Sequence, residues 1–310
     1  MTTKEIRQKI AIALPPGRVL AAHTEDKHFY EVTDIDPHPK YPSVTEKLAC
    51  LKDPSLNNFK MNQALGYVRE NFTRFTPTNI EEHMGYAARA SSDIFEDAGD
   101  VGSKIHDVRE RYFSDWISAG VRPEKSILEY IPSDLGIQDQ RIVSASRAID
   151  RFVSDYRYEP IATELKVYSH ELKLGGTLDD IGFAYPIKDR GDSKCEHDLM
   201  QKPNDLNEIR CSRCNYKAKK TLALIDLKSS NQMKEHYFLQ VAMYYEMFRK
   251  LTGIKIDRFH ILKVSKTDGT YFLQEIRDMG MVIECAKHEL KLSDGMDKIR
   301  EMMKKPAFKI

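Results

Sequence analysis

A chain of 310 residues with 41% hydrophobic side chains can supply a real core, in one large domain or two modest ones. Its 48 basic and 47 acidic residues nearly cancel, so overall charge offers no argument for nucleic acid and any such claim has to rest on a site. No apolar run approaches the roughly 20 residues that a membrane span needs, and the opening MTTKEIRQKIAIALPPGRV lacks a secretory pattern, which predicts a cytoplasmic protein with no membrane partner.

Residues 1–42 carry Pro15, Pro16, Pro37, Pro39 and Pro42 among many charges and read as an irregular lead-in. From Ser43, where Ser-Val-Thr-Glu46 has the form of a capping box, a helical region is predicted to residue 156. Within it Ile105, Val108 and Tyr112 recur at helical spacing, as do Ile142, Ala145, Ile149 and Phe152. The period changes to two at Ile161, Thr163, Leu165 and Val167, the mark of a half-buried strand. A second strand follows Gly175-Gly176 and runs to about Tyr185. Residues 187–220 form a polar insertion without usable periodicity. A third strand, Thr221–Lys228, is apolar up to its two charged residues, as befits a strand covered on both faces. A helix over 233–251, a hairpin near 256–264 and 270–276 through Asp268-Gly269, and a closing helix over 280–304 complete the reading. The whole is an α/β (α+β) arrangement, with a sheet-bearing core at 157–310.

The chemistry centres on Asp226 and Lys228. Residues two apart on a strand share a face, so a carboxylate and an ammonium leave an apolar strand side by side, and burying them is costly unless they pair or bind something. A divalent cation and a phosphodiester would meet that need. Alone, the pair is more often a strand end emerging into solvent with two surface charges. Asp179 adds a second carboxylate after Gly176, on a face shared with Ile181 and Phe183. Gln240 and Tyr244 lie four apart on one helix face, the spacing of ordinary half-buried residues or of a polar grip on phosphate and base edges.

In order, Gly176-x-x-Asp179, Asp226-Leu-Lys228 and Gln240-x-x-x-Tyr244 resemble the signature of the RecB-type branch of PD-(D/E)XK nucleases. Upstream, Gly102-Ser-Lys-Ile-His106 matches its Gly-x-x-x-His element and Glu164 its first-strand glutamate, while Tyr41-Pro-Ser-Val-Thr45 is similar to the opening of many phage-encoded members. The resemblance implies a restriction-endonuclease-like mixed sheet flanked by helices. It implies Mg²⁺ or Mn²⁺ held by His106, Asp179, Asp226 and the backbone carbonyl of Leu227. In it Lys228 activates or orients the attacking water, Glu164 supports the site, and Gln240 and Tyr244 contact DNA. The expected activity is exonucleolytic cleavage at single-stranded or duplex DNA ends, in recombination, repair or end processing, with a helicase, recombinase or single-strand-binding protein as possible company. Alternatives are a structure- or sequence-specific endonuclease, and a non-catalytic nucleic-acid-binding or assembly protein on the same scaffold. The long separation of Asp179 from Asp226 departs from the family, which joins these strands by a short connection.

Of the five cysteines, three fall in the insertion. Cys195 and His197, then Cys211 and Cys214, make two close pairs suited to tetrahedral Zn²⁺, and a filled set of four protein ligands predicts a structural zinc knuckle. The alternative is a loop with unrelated cysteines. Cys50 and Cys285 read as ordinary buried cysteines. The insertion's basic residues sit among several acidic ones, so a phosphate-binding surface and a solvated one are both open.

Overall fold

A computed structural model describes residues 1–304 apart from 24–27, 49–53, 134–138, 186–198, 203–204 and 212–215. It opens on helix α1 (Thr3–Ala13), whose Thr2 and Glu5 form a capping box and whose Ile6 and Ile10, one turn apart, are buried. Strands β1 (Val19–His23), β2 (His28–Val32) and β3 (Lys40–Pro42) then form a small antiparallel sheet. The expectation of an irregular stretch over 1–42 is therefore corrected. The prolines fall outside β1 and β2, and Pro42 ends the edge strand β3, where a missing N–H is tolerated.

Helices follow as anticipated over 43–156: α2 (Val44–Leu48), α3 (Pro54–Asn71), α4 (Ile80–Ala119) and α5 (Gln140–Asp155). Ser43 Oγ caps α2 by accepting the Glu46 N–H at 3.0 Å. The 40-residue α4 stops where Gly120 takes φ +72 and donates to the Trp116 carbonyl at 2.8 Å.

The main sheet is built from β4 (Glu159–Ser169), β5 (Leu174–Ala184), β9 (Thr221–Lys228), β10 (Arg258–Val264) and β11 (Tyr271–Glu275), in the order β11-β10-β9-β5-β4. Only β9 and β10 run parallel, joined by helix α6 (Glu235–Thr252). Helix α7 (Met279–Lys304) closes the chain. On one face α1, α2, α6 and α7 bury Ile10, Val44, Val241, Met247 and Ala286 against Leu222 and Leu224 of β9. On the other, α4 and α5 bury Ile105, Val108, Ile149 and Phe152 against Ala223, Ile225 and Leu227. The alternation of β9 thus feeds two cores, which is why its sequence is apolar without a break. Because α4 and α5 share a core with the sheet, the helical region is one layer of a mixed α/β fold.

The insertion also differs from its reading. Its described part holds a second small antiparallel sheet, β6 (Leu199–Lys202), β7 (Asp205–Cys211) and β8 (Lys217–Lys219). Among the described residues, no helix is long and apolar enough to cross a membrane.

Candidate functional site

Three neighbouring strands each bring one carboxylate to the same level of the main sheet. Between β4 and β5, Thr163 pairs with Asp180 and Leu165 with Leu178, which sets Glu164 against Asp179. Between β5 and β9, Asp180 pairs with Ile225, so the next step of the same register sets Asp179 against Asp226. The β5–β9 ladder ends at this step. Asp179 Oδ2 instead accepts the Leu227 N–H at 2.6 Å, a side chain taking over where the backbone partner is lost.

Glu164 adopts φ +48, a left-handed conformation that costs a non-glycine residue about 1–3 kcal/mol. Its effect is to reverse the alternation of the strand. Asp180, opposite Thr163, meets α4, whereas Leu165 and Leu178 join the core on the α6 side. A regular strand would hold residues 163 and 165 on one face. The reversal lies at the carboxylate row, whose helical partners His106 and Arg109 come from α4.

From α4 come His106 and Arg109, one turn apart. His106 Nδ1 lies 3.7 Å from Glu164 Oε1 and 3.7 Å from Asp179 Oδ1. The ligand atoms of His106, Glu164 and Asp179 all lie within 4.8 Å of one another. Arg109 is 1% exposed and holds three carboxylates: it bonds Glu164 Oε1, and its Nη1 is 3.4 Å from Asp179 Oδ2 and 3.2 Å from Asp180 Oδ2. From β9, Lys228 Nζ pairs with Asp226 Oδ2 at 2.8 Å and lies 5.1 Å from the centroid of the Tyr237 ring.

The ionisation of these groups follows from their surroundings. Burial pushes the Asp226 carboxyl up to about 6, reinforced by Asp179 and opposed by Lys228. Burial also pushes Asp180 up to about 7 against the pull of Arg109. Burial acts on Asp179 in the same sense, but His106, Arg109 and Lys228 together hold it below the ordinary carboxylate value. Burial disfavours the Lys228 ammonium, and Asp226 and Asp179 more than offset this, so Lys228 stays protonated.

His106, Glu164, Leu227, Lys228, Ser229 and Tyr237 line a cleft of about 440 Å³, with Asp179, Asp180 and Asp226 buried behind it. Gly102 lets α4 approach the end of β9: a Cβ there would stand 3.2 Å from Ser229 Oγ. Gly176 has a comparable reason, since a Cβ would meet the Tyr244 ring at 2.3 Å.

Gln240 and Tyr244 are placed differently from expectation. Both are buried, at 9% and 5% exposure, and Gln240 Nε2 donates to Thr45 Oγ1 at 2.8 Å and to the Tyr244 hydroxyl at 2.7 Å. The pair thereby ties α6 to α2 and packs the ring on β5, and in this arrangement neither side chain is turned out to solvent. The helix spacing was sound, but the shared face points inward. Of the proposed zinc ligands, Cys195, His197 and Cys214 lie outside the described residues. Cys211 is buried beside Ala218 and Tyr185. Cys50 also lies outside the described residues, and Cys285 is exposed where a buried position was expected.

The reading of the sequence missed Arg109. A signal was present: Ile105, Val108 and Tyr112 define an inward stripe, and position 109 falls inside it at i+4 from Ile105. A charge within an apolar stripe needs partners, and here three carboxylates supply them.

No protein-family model matches the chain, and no curated protein matches it. A solved structure described as "Crystal structure of SSO0001" overlaps 61% of this chain and 74% of its own length at 13% identity. Its TM-score is 0.21, a level of similarity that carries no argument about fold or function.

Proposed function

We propose that this chain is a divalent-metal-dependent deoxyribonuclease of the PD-(D/E)XK superfamily, RecB-type branch, acting as an exonuclease on DNA ends. The observation that carries this reading is the row of Glu164, Asp179 and Asp226 across three adjacent strands, with Glu164, His106 and Lys228 lining one open cleft. The ordered motifs of the sequence supply the family, and the row supplies a seat for the chemistry.

The residues fit a hard divalent ion such as Mg²⁺ or Mn²⁺. An imidazole nitrogen and two carboxylate oxygens converge within 4.8 Å, and Asp226 stands in the same row. Relative to the ligand set implied by resemblance, Glu164 is drawn in beside His106 and Asp179, while Asp226 is engaged by Lys228. When bound, the ion polarises the phosphoryl group and acidifies a water. Lys228, kept protonated by its neighbours, offers its remaining N–H groups to the attacking water or to a phosphate oxygen, where charge accumulates during in-line displacement. Arg109 keeps Glu164 and Asp179 side by side against their mutual repulsion. Leu227 holds Asp179 through its N–H and lines the cleft.

End-labelled single-stranded and duplex DNA, with closed circles as a control, tests this in Mg²⁺, Mn²⁺ and chelator. The expected result is metal-dependent release of nucleotides from ends. Preferential cutting of closed circles would select the endonuclease alternative. Binding without cleavage in every metal titration would select the non-catalytic assembly protein. A structural Zn²⁺ on Cys195, His197, Cys211 and Cys214 is proposed on ligand spacing, and metal analysis showing well under one equivalent rejects it.

A further inference from the structure

A second cleft, of about 500 Å³, adjoins the first at the carboxyl ends of the parallel strands β9 and β10. Ser230 lines both clefts. The Tyr237 hydroxyl donates to Ser230 Oγ at 3.0 Å, and the same Tyr237 ring lies under Lys228, so the shared wall is tied to the candidate centre. Beyond it the second cleft runs past Lys263 and Lys266 to Thr267, Thr270 and Phe272 of the β10–β11 hairpin.

The charge of this cleft is one-sided. Among the described residues no carboxylate lines it, although Asp97, outside the lining, attracts Lys266. Arg141, which lines it, is already bonded to Asp97 and Asp139. Among the described residues neither Lys263 nor Lys266 forms an ion pair, and Lys263 Nζ donates to the Asn231 carbonyl at 2.8 Å. Asp268, in the same turn, accepts from the Thr270 N–H and hydroxyl and stays off the lining. Lys263 sits directly beside Lys228 in the parallel register, on strands spaced by about 4.8 Å. Lys228 has a carboxylate partner, whereas Lys263 donates to a neutral carbonyl and keeps its charge for an anion in the cleft. Hydroxyls and an aromatic ring 53% exposed, Phe272, extend the same surface.

We infer that this cleft is a subsite for the sugar-phosphate backbone of a nucleic-acid strand that continues out of the metal centre, with Lys263 and Lys266 on successive phosphates and Phe272 stacked on a base. Cations beside hydroxyls match the way proteins hold phosphate without reading sequence, and an exposed ring matches base stacking on single strands. The inference rests on the nuclease reading for what occupies the first cleft.

The test uses the full chain and a fluorescein-labelled single strand of about 20 nucleotides. Binding is measured in chelator over a salt titration, and cleavage kinetics are measured separately. Each phosphate contact contributes about 0.7 to the slope of log affinity against log salt on single strands. Lys266→Glu and the Lys263→Ala/Lys266→Ala pair are expected to weaken binding about tenfold or more, to flatten the slope by about one to two such contacts, and to raise KM with kcat within about twofold. Lys263→Gln, which keeps an N–H donor for the Asn231 carbonyl and removes the charge, is expected to flatten the slope by about one contact, so a wild-type slope in Lys263→Gln would assign Lys263 to bracing the loop and overturn its phosphate contact. Phe272→Ala is expected to weaken single strands more than duplex. An active protein whose affinity and salt slope are unchanged in Lys266→Glu overturns the subsite alone. A wild-type protein that neither binds nor cleaves the labelled strand overturns the nuclease reading and the subsite with it.

Discussion

Asp34, beside the small N-terminal sheet, and Asp226, at the end of β9, both have strong partners, yet their carboxyls shift in opposite directions. Asp34 accepts from the Tyr168 hydroxyl at 2.5 Å and lies 3.1 Å from His170 Nε2, while His170 Nδ1 is 2.8 Å from the Tyr41 hydroxyl. Burial pushes Asp34 up, but its side chain keeps 18% exposure, and Tyr168 and His170 bring it below the ordinary carboxylate value. Asp226 is 1% exposed, and there burial outweighs even a lysine at 2.8 Å. The difference teaches what each cluster contributes. With some water left, hydrogen bonds to a carboxylate stabilise the fold; with water excluded, the fold sustains a charge cluster at a cost, which is the expected signature of a site kept ready for a ligand.

The largest effect should come from Lys228→Ala. Loss of the ammonium is expected to lower the cleavage rate by about 10³-fold, on the scale of removing one donor to a developing charge, while the melting temperature changes little. The stability survives because Asp226, already raised to about 6, can take a proton in place of its partner. Undiminished magnesium-dependent cleavage by the purified variant rejects the assignment.

Arg109→Met tests how far the dry cluster depends on its cation. Stranding Glu164, Asp179 and Asp180 should cost about 3–5 kcal/mol in urea unfolding, and Arg109→Lys should recover part of it. A loss below about 1 kcal/mol would show that the carboxylates are not charged together.

Mn²⁺ added at about a hundred times its dissociation constant should stabilise the protein by about 2.7 kcal/mol, read as a rise in melting temperature. Asp179→Asn is expected to abolish that rise and Asp34→Asn to preserve it. Equal response in the two variants would erase the distinction between the clusters.

The smallest effect belongs to Asp34→Asn, about 1 kcal/mol. Because the folded carboxyl lies below its unfolded value of about 3.9, its contribution is present above that pH and is lost as pH falls through the lowered folded value. Wild type should therefore lose part of its advantage over Asp34→Asn on acidification below about pH 4. A constant difference between them from pH 6 to pH 2 would contradict this.

How much of the site could be read in advance depended on the range of the geometry involved. Asp226 and Lys228 were legible as neighbours because a two-residue period is a property of any strand. The inward stripe of α4 was legible from Ile105, Val108 and Tyr112, and Arg109 lay within it unrecognised. His106 and Glu164 were reached through resemblance, since nothing local links a helix residue to a strand far along the chain. Gln240 and Tyr244 were paired by helix spacing, with half-burial and a grip on DNA both open, because only packing against Thr45 and Gly176 decides which face is buried. The N-terminal strands escaped notice because, at three to five residues, they are too short for a period to emerge among prolines.

The sequence by itself determined the alternation of helix and strand from residue 43 on outside the insertion, the two-sided burial of β9 and the types of group available for chemistry, all consequences of side-chain period and polarity within a few residues. Only the tertiary structure decided that Glu164, Asp179 and Asp226 form one row, that Arg109 closes it from behind, and that Lys263 stands beside Lys228. Register between distant strands is set by which cores can close together, and no short stretch of chain carries that information.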